Sequence, residues 1–215
     1  MARARPIVFI TDFGEDGFYA GILRAVAASA SPASPLIDLS HQMHAHDIRQ
    51  ASFVLALALD YLPRDAVVVA VVDPGVGSAR RALVAELDQR VAVLPDNGLL
   101  SDVLAALPAT RIHEISGDAA QRVAGPHARG ATFHGRDLFV PVAAGIARGA
   151  APGDFGGPAG DGRPARRAQR VNRARAGDGD GTHDRPVREH THRHPGRRGG
   201  AHAGRRRMPR VGGGC

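Results

Sequence analysis

Hydrophobic residues in the first 155 positions fall into two patterns that alternate along the chain. Ile7–Thr11 (IVFIT) is a short continuous apolar run, the signature of a strand buried on both faces. Phe18–Ala28 (FYAGILRAVAA) then switches to helical spacing, with Tyr19, Ile22 and Val26 on one face. Pro35–Leu39 predicts a second strand, and Asp47–Leu62 an amphipathic helix with Asp47 as its N-cap. Ala66–Val72 (AVVVAVV) is the clearest central strand of the chain. Further strands are predicted at Arg81–Glu86, Val91–Leu94 and Arg111–Ile115, and short helices at Leu99–Ala106 and Leu138–Arg148. Strands that alternate with helices predict an α/β domain built on a mostly parallel sheet flanked by helices.

Composition divides the chain near residue 155. Residues 1–150 carry 13 Arg against 15 acidic residues, a net of −2, whereas residues 151–215 carry 15 Arg against 6, a net of +9. After Phe155 there is no Leu, Ile, Phe or Tyr, and 15 of the last 65 residues are Gly. Such a segment buries too little apolar surface to offset an ordering cost of roughly 1–2 kcal/mol per residue. The expectation is therefore a folded domain over 1–158 and a disordered tail over 159–215. A nucleic-acid-binding role would have to work through this tail. It has the charge for non-specific phosphate attraction but neither aromatic residues for base stacking nor helical periodicity. One cysteine, Cys215, excludes an internal disulfide framework. The five-residue apolar run before Asp12 is short for a signal sequence, and no run approaches the ~20 residues of a membrane span, so a cytoplasmic protein without membrane partners is expected.

Candidate chemistry sits where strands end. In parallel α/β sheets, ligands bind beyond the carboxyl ends of the strands. That rule selects Thr11-Asp12-Phe13-Gly14 and Asp73-Pro74-Gly75-Val76-Gly77, each a carboxylate at a strand end followed by glycine-containing backbone. Asp12 either grips a ribose diol or caps the next helix, and Asp73-Pro74-Gly75 is either part of a site or an ordinary turn. In Ala131–Asp137 (ATFHGRD), His134 either polarises water or makes a core hydrogen bond, and Asp137 either caps a helix or pairs with Arg136. His41, His44 and His46 beside Asp47 have metal-ligand residue types, but their spacing ahead of a helix does not converge, and no metal is expected.

The ordered motifs TDFG, VVDPGVGSARR, PDNGLL and TFHGRDLFVPVAA, together with DLSHQMHAHDIRQASFVLA, resemble the S-adenosyl-L-methionine hydroxide adenosyltransferase family over residues 6 to about 158. That family is related to the fluorinating and chlorinating adenosyltransferases. The resemblance implies hydrolysis of S-adenosyl-L-methionine to adenosine and L-methionine, with Asp73, Arg80 and His134 as the catalytic trio. It also implies that Asp12 holds the ribose hydroxyls, that Val76 and Thr132 line the pocket around the reacting carbon, and that no metal or redox cofactor is used. Halide-using relatives replace the Asp and His of the trio, so its retention implies water as nucleophile. Many members have an Asp two residues before the tyrosine of the first helix; here Gly17 stands there, and the neighbouring Asp16 is expected to meet the methionine amino group. Intact members are homotrimers whose sites lie between one subunit's amino-terminal domain and a neighbour's small β domain. A nucleoside-binding protein without turnover is the alternative that the same residues would serve.

The tail carries a second signal. Arginine is abundant and lysine absent, which fits a GC-rich coding sequence. Writing the permitted codons for Thr182–Pro195 (THDRPVREHTHRHP) and reading from the second base of each allows the string I-D-R-F-G-N-x-H-T-D-I-P. That string resembles the FGN-containing motif of the family's β domain, whereas Gly153–Pro158 (GDFGGP) still reads in frame. The expectation is that the segment from about residue 160 is a frameshifted version of the carboxy-terminal domain, and that the chain as written is inactive.

Overall fold

The computed structural model describes residues 3–123 and 133–160. Thr132 and the arginine-rich segment from residue 161 onward lie outside the described residues. Six strands form one sheet: β1 (Ile7–Thr11), β2 (Leu36–Ser40), β3 (Val67–Val71), β4 (Ala82–Leu87), β5 (Arg90–Pro95) and β6 (Arg111–Glu114). Their spatial order is β2-β1-β3-β5-β4-β6. All pairings among β2, β1, β3 and β5 are parallel, and β4 runs antiparallel to both of its neighbours. One reversed strand in six gives the mostly parallel sheet that the alternation predicts. The reversal follows from the short β4–β5 link, in which Asp88 takes a positive φ of 60°; two-residue links join antiparallel strands only.

Alternate residues of the central strands feed two cores. Ile7, Phe9, Val67, Val69 and Val71 pack with α1 (Phe18–Ala30), α4 (Gly117–Val123) and α5 (Val140–Ala147). Val8, Ile10, Val68, Ala70 and Val72 face α2 (Ile48–Ala58) and α3 (Ser101–Ala106). Every residue of β1 and β3 is buried, which is why both read as unbroken apolar runs. Asp47 caps α2 as predicted, accepting a hydrogen bond from the Gln50 amide at 2.9 Å, but the helix stops at Ala58 rather than Leu62. Two elements depart from the predicted periodicity. The helix α4 was not anticipated, since only seven residues form it. The predicted helix Leu138–Arg148 is preceded and partly replaced by a π-helical turn over Gly135–Phe139, which runs directly into α5. Among the described residues no helix is long and apolar enough to cross a membrane.

The GDFGGP segment closes the far edge of the sheet. A 3-10 turn over Pro152–Phe155 seats Phe155 against Gly145 of α5, and the chain then runs alongside β6. Backbone bonds join Ser116 to Phe155 (2.9 Å), Glu114 to Gly157 (3.0 Å) and Ala159 to Ile112 (2.9 Å). A Cβ at Gly156 would stand 1.8 Å from the Glu114 carbonyl oxygen, whereas one at Gly157 would meet nothing within 4 Å. Gly156→Ala should therefore destabilise the domain by roughly 1–3 kcal/mol through overpacking against backbone. Gly157→Ala should leave the denaturation midpoint almost unchanged; equal midpoints for the two variants would contradict this packing.

Candidate active site

Connections from β1 run to β2 on one side and from β2 to β3 on the other, so the strand order reverses between β1 and β3. Loops that leave the carboxyl ends of two such strands diverge to opposite faces and open a crevice between them. Thr11 and Val71 are register partners at that edge. Asp12 follows Thr11 directly, and Asp73 lies two residues beyond Val71, so both carboxylates stand at the mouth of the same crevice.

The loop after β3 doubles back on itself. Amides of Val76 and Ser78 donate to the carbonyls of Asp73 and Gly75, and Gly77 supplies a φ of 81°. This return brings Arg80 onto Asp73: Nε lies 2.8 Å from both carboxylate oxygens, and Nη2 makes a further contact with Oδ2. The two side chains are only 7% and 4% exposed, so the pair is a buried ion pair. Phe139, delivered by the π turn, underlies the guanidinium with its ring centroid 5.4 Å from Cζ. Nη2 also lies 3.0 Å from Nδ1 of His134.

That last contact fixes the state of the imidazole. A guanidinium has donors only, so Nδ1 of His134 must accept, and the neutral ring then carries its proton on Nε2. Burial and the nearby positive charge of Arg80 hold the His134 pKa below its ordinary value of 6.5, against weaker opposing pulls from Asp73 and Asp137. With Nδ1 committed to Arg80, the Nε2–H edge is what His134 can offer a ligand.

Asp12 is oriented from the backbone. His46, in the left-handed region at φ 65°, donates its amide to Asp12 Oδ2 at 2.9 Å. Between these groups lies a cavity of about 320 Å³, within the usual size range of small-molecule sites. Asp12, Asp73, Val76 and His134 line it, while Arg80 stands behind Asp73 and His134 rather than on the surface of the cavity. Asp16 is exposed on the turn ahead of α1 and is not among the lining residues. Sequence reasoning missed most of the apolar wall. Phe13, Tyr19, Ile22, Leu23 and Phe133 line the cavity, with Tyr19 stacked on Phe133 at 5.7 Å and Arg136, also at the cavity, over the Phe133 ring at 4.7 Å. Tyr19 and Ile22 were visible as one face of a helix; that the face ends at a cavity depends on the sheet behind it.

Comparison with known proteins fits this geometry. The SAM hydroxide adenosyltransferase N-terminal domain family matches residues 7–156. The chain belongs to that family. Among curated relatives, the (R)-S-adenosyl-L-methionine hydrolase of Thermus thermophilus is 43% identical over 155 residues, covering 71% of this chain and 60% of the relative. The protein of the same name from Salinispora arenicola is 45% identical over 161 residues, covering 73% and 58%. An uncharacterized conserved protein of Thermotoga maritima has a solved structure that superposes with a TM-score of 0.64 at 35% identity, over 71% of this chain and 58% of that one. The chain thus matches about three fifths of the length of these relatives, and the family match ends at residue 156.

Two substitutions should separate the roles within the trio. Asp73→Ala strands a buried guanidinium and should cost about 3–5 kcal/mol of stability. His134→Ala removes a partner that Arg80 can spare and should cost far less; denaturant titration of both variants checks this. The depressed pKa of His134 also gives a sign. The folded state favours the neutral ring, so its contribution is complete above pH 6.5 and is lost as pH falls from there through the lower folded value. His134→Ala should flatten that part of the stability profile, and an unchanged acid limb would contradict the assignment.

Proposed function

We propose that the intact protein hydrolyses S-adenosyl-L-methionine to adenosine and L-methionine. The observation that carries this reading is the meeting of Asp12 with the Asp73–Arg80–His134 cluster on one cavity at the reversal of strand order. Asp12 takes the ribose diol, the apolar wall receives the rest of the nucleoside, and Val76 lies near the reacting carbon. The leaving group is a neutral thioether expelled from a sulfonium cation, so no general acid is required. What the reaction demands is one water held in line with the C–S bond.

The cluster supplies complementary hydrogen-bond partners for that water. Asp73, paired with Arg80, accepts a hydrogen from it, and the Nε2–H of His134 donates to its oxygen. One lone pair is left to attack the ribose 5′ carbon. The new C–O bond forms as the C–S bond breaks, the bonding pair leaves with sulfur, and one proton is released from the water. The scheme uses only water and protein side chains.

The match to about three fifths of each relative supports a second part of the reading, that the segment after residue 160 is a shifted reading of a missing β domain. On this reading the intact protein is a homotrimer and the chain as written has little activity. Restoring the frame of the gene should yield the FGN string and raise adenosine formation by orders of magnitude over the chain as written. A frame that meets an early stop codon, or lacks codons for F-G-N, rules this part out.

The chemistry has its own test. The frame-restored protein with S-adenosyl-L-methionine should form adenosine and methionine in equal amounts and release one proton per turnover, followed by chromatography and pH-stat titration. Activity should decline in the acid range, at a pH below the ordinary histidine value of 6.5, as His134 becomes protonated and can no longer accept from Arg80. Adenosine binding without turnover in the frame-restored protein would favour the nucleoside-binding alternative instead.

A further inference from the structure

The loop that carries Asp12 has a second anchor, in the core rather than in the cavity. His41 is 1% exposed and stacks on Phe9 of β1, with ring centroids 6.1 Å apart. Its Nδ1 lies 2.8 Å from Thr11 Oγ1, and its Nε2 lies 3.0 Å from Asp38 Oδ1. Arg24 pairs with the other oxygen of Asp38. Burial alone would raise the Asp38 carboxyl, but the bonds from His41 and Arg24 outweigh it and hold its pKa below the ordinary value. With the Asp38 carboxylate as acceptor, His41 Nε2–H is its donor, and in the neutral ring Nδ1 then accepts from the Thr11 hydroxyl. The same hydroxyl oxygen receives the Phe13 amide at 3.3 Å.

The relay thus runs from the Phe13 amide through Thr11 and His41 to Asp38 and Arg24, each member donating to the next until the carboxylate. Asp12 lies between the two residues of the loop that it grips. The backbone of the 41–46 loop is stitched to the same turn: Gly14 donates to the His41 carbonyl at 2.8 Å, and Met43 donates to the Thr11 carbonyl at 3.2 Å. At its end this loop delivers the His46 amide to Asp12. One buried imidazole accordingly holds both pieces of backbone that aim the Asp12 carboxylate. A leucine would fill the same volume yet leave the Thr11 hydroxyl hydrogen and Asp38 Oδ1 without the partner that His41 supplies.

We infer that His41 is a positioning residue, which acts through Thr11 and the 41–46 loop to hold Asp12 in the geometry that binds a ribose diol. The inference rests on the reading of Asp12 given above, and its test keeps the two apart. Thr11→Val removes the hydroxyl at nearly constant shape, Thr11→Ser keeps it, and His41→Gln alters the relay at its centre. Adenosine affinity of the full chain, measured by calorimetry well below the unfolding transition, should fall about tenfold in Thr11→Val and in His41→Gln and stay within about twofold in Thr11→Ser. The Thr11→Val and His41→Gln losses should not add when combined, because both break one relay. Amide hydrogen exchange at Gly14 and His46 should quicken in Thr11→Val and recover in Thr11→Ser. Wild-type affinity in Thr11→Val, or unchanged exchange at both amides, overturns the inference. If the unsubstituted chain does not bind adenosine, the same variants are read in the frame-restored protein; if that protein also fails to bind adenosine, the ribose reading of Asp12 fails, and the exchange measurement alone still decides whether His41 positions the loop.

Discussion

Complete burial of β1 and β3 is the constraint from which the site follows. Two adjacent strands with no solvent-facing side can hold no polar side chain that lacks a partner along their length. Thr11, the one polar residue in either strand, sits at the last position and is satisfied by His41. Polar function is consequently displaced to the strand ends. Because the pair is parallel and in register, both ends open on the same edge, and Asp12 and Asp73 meet there without any long-range steering. The crossover connections then send the intervening helices to opposite faces, leaving the crevice between them.

Arg80 organises what that edge can do. It has one buried carboxylate and one imidazole nitrogen within reach, and it satisfies both from a single planar group. The pair is too well buried to be only an electrostatic ornament on the surface, and its removal leaves charge in the interior. On the proposed reading, stability and chemistry are linked at Asp73 more closely than at His134, although the three residues form one contiguous cluster.

The strand runs, the Asp47 cap and the carboxylates at the strand ends were legible in the sequence because each is a local pattern: an apolar run, an N-cap, an acidic residue after a strand. The family resemblance added Arg80, which no periodicity marks, since its partner lies seven residues back across a loop. Other features are set by turn geometry that leaves no periodic mark. The reversed direction of β4 is set by a two-residue link, and the π turn inserts one extra residue into a turn where helical spacing predicts none. The His46 amide carries no sequence signal at all, because a backbone donor becomes specific only when the loop folds onto Asp12. Two of the three histidines weighed as metal-ligand types take separate places in the fold: His41 turns into the core and His46 contributes its main chain.

The tautomer imposed on His134 has a bearing on which substrates such a site can serve. An imidazole whose Nδ1 is occupied by a guanidinium has one proton to share and no readily available basic nitrogen, so it neither draws a proton from the nucleophile nor hands one to a departing group. On the proposed reading, the arrangement suits a bond that breaks without help because the departing sulfur sheds positive charge as it leaves. A neutral thioether at the same carbon would have to leave as a thiolate, and nothing in the Asp73–Arg80–His134 cluster is set to neutralise it. Discrimination between a sulfonium and its demethylated counterpart would then reside in the protonation state of the site as much as in the shape of the pocket.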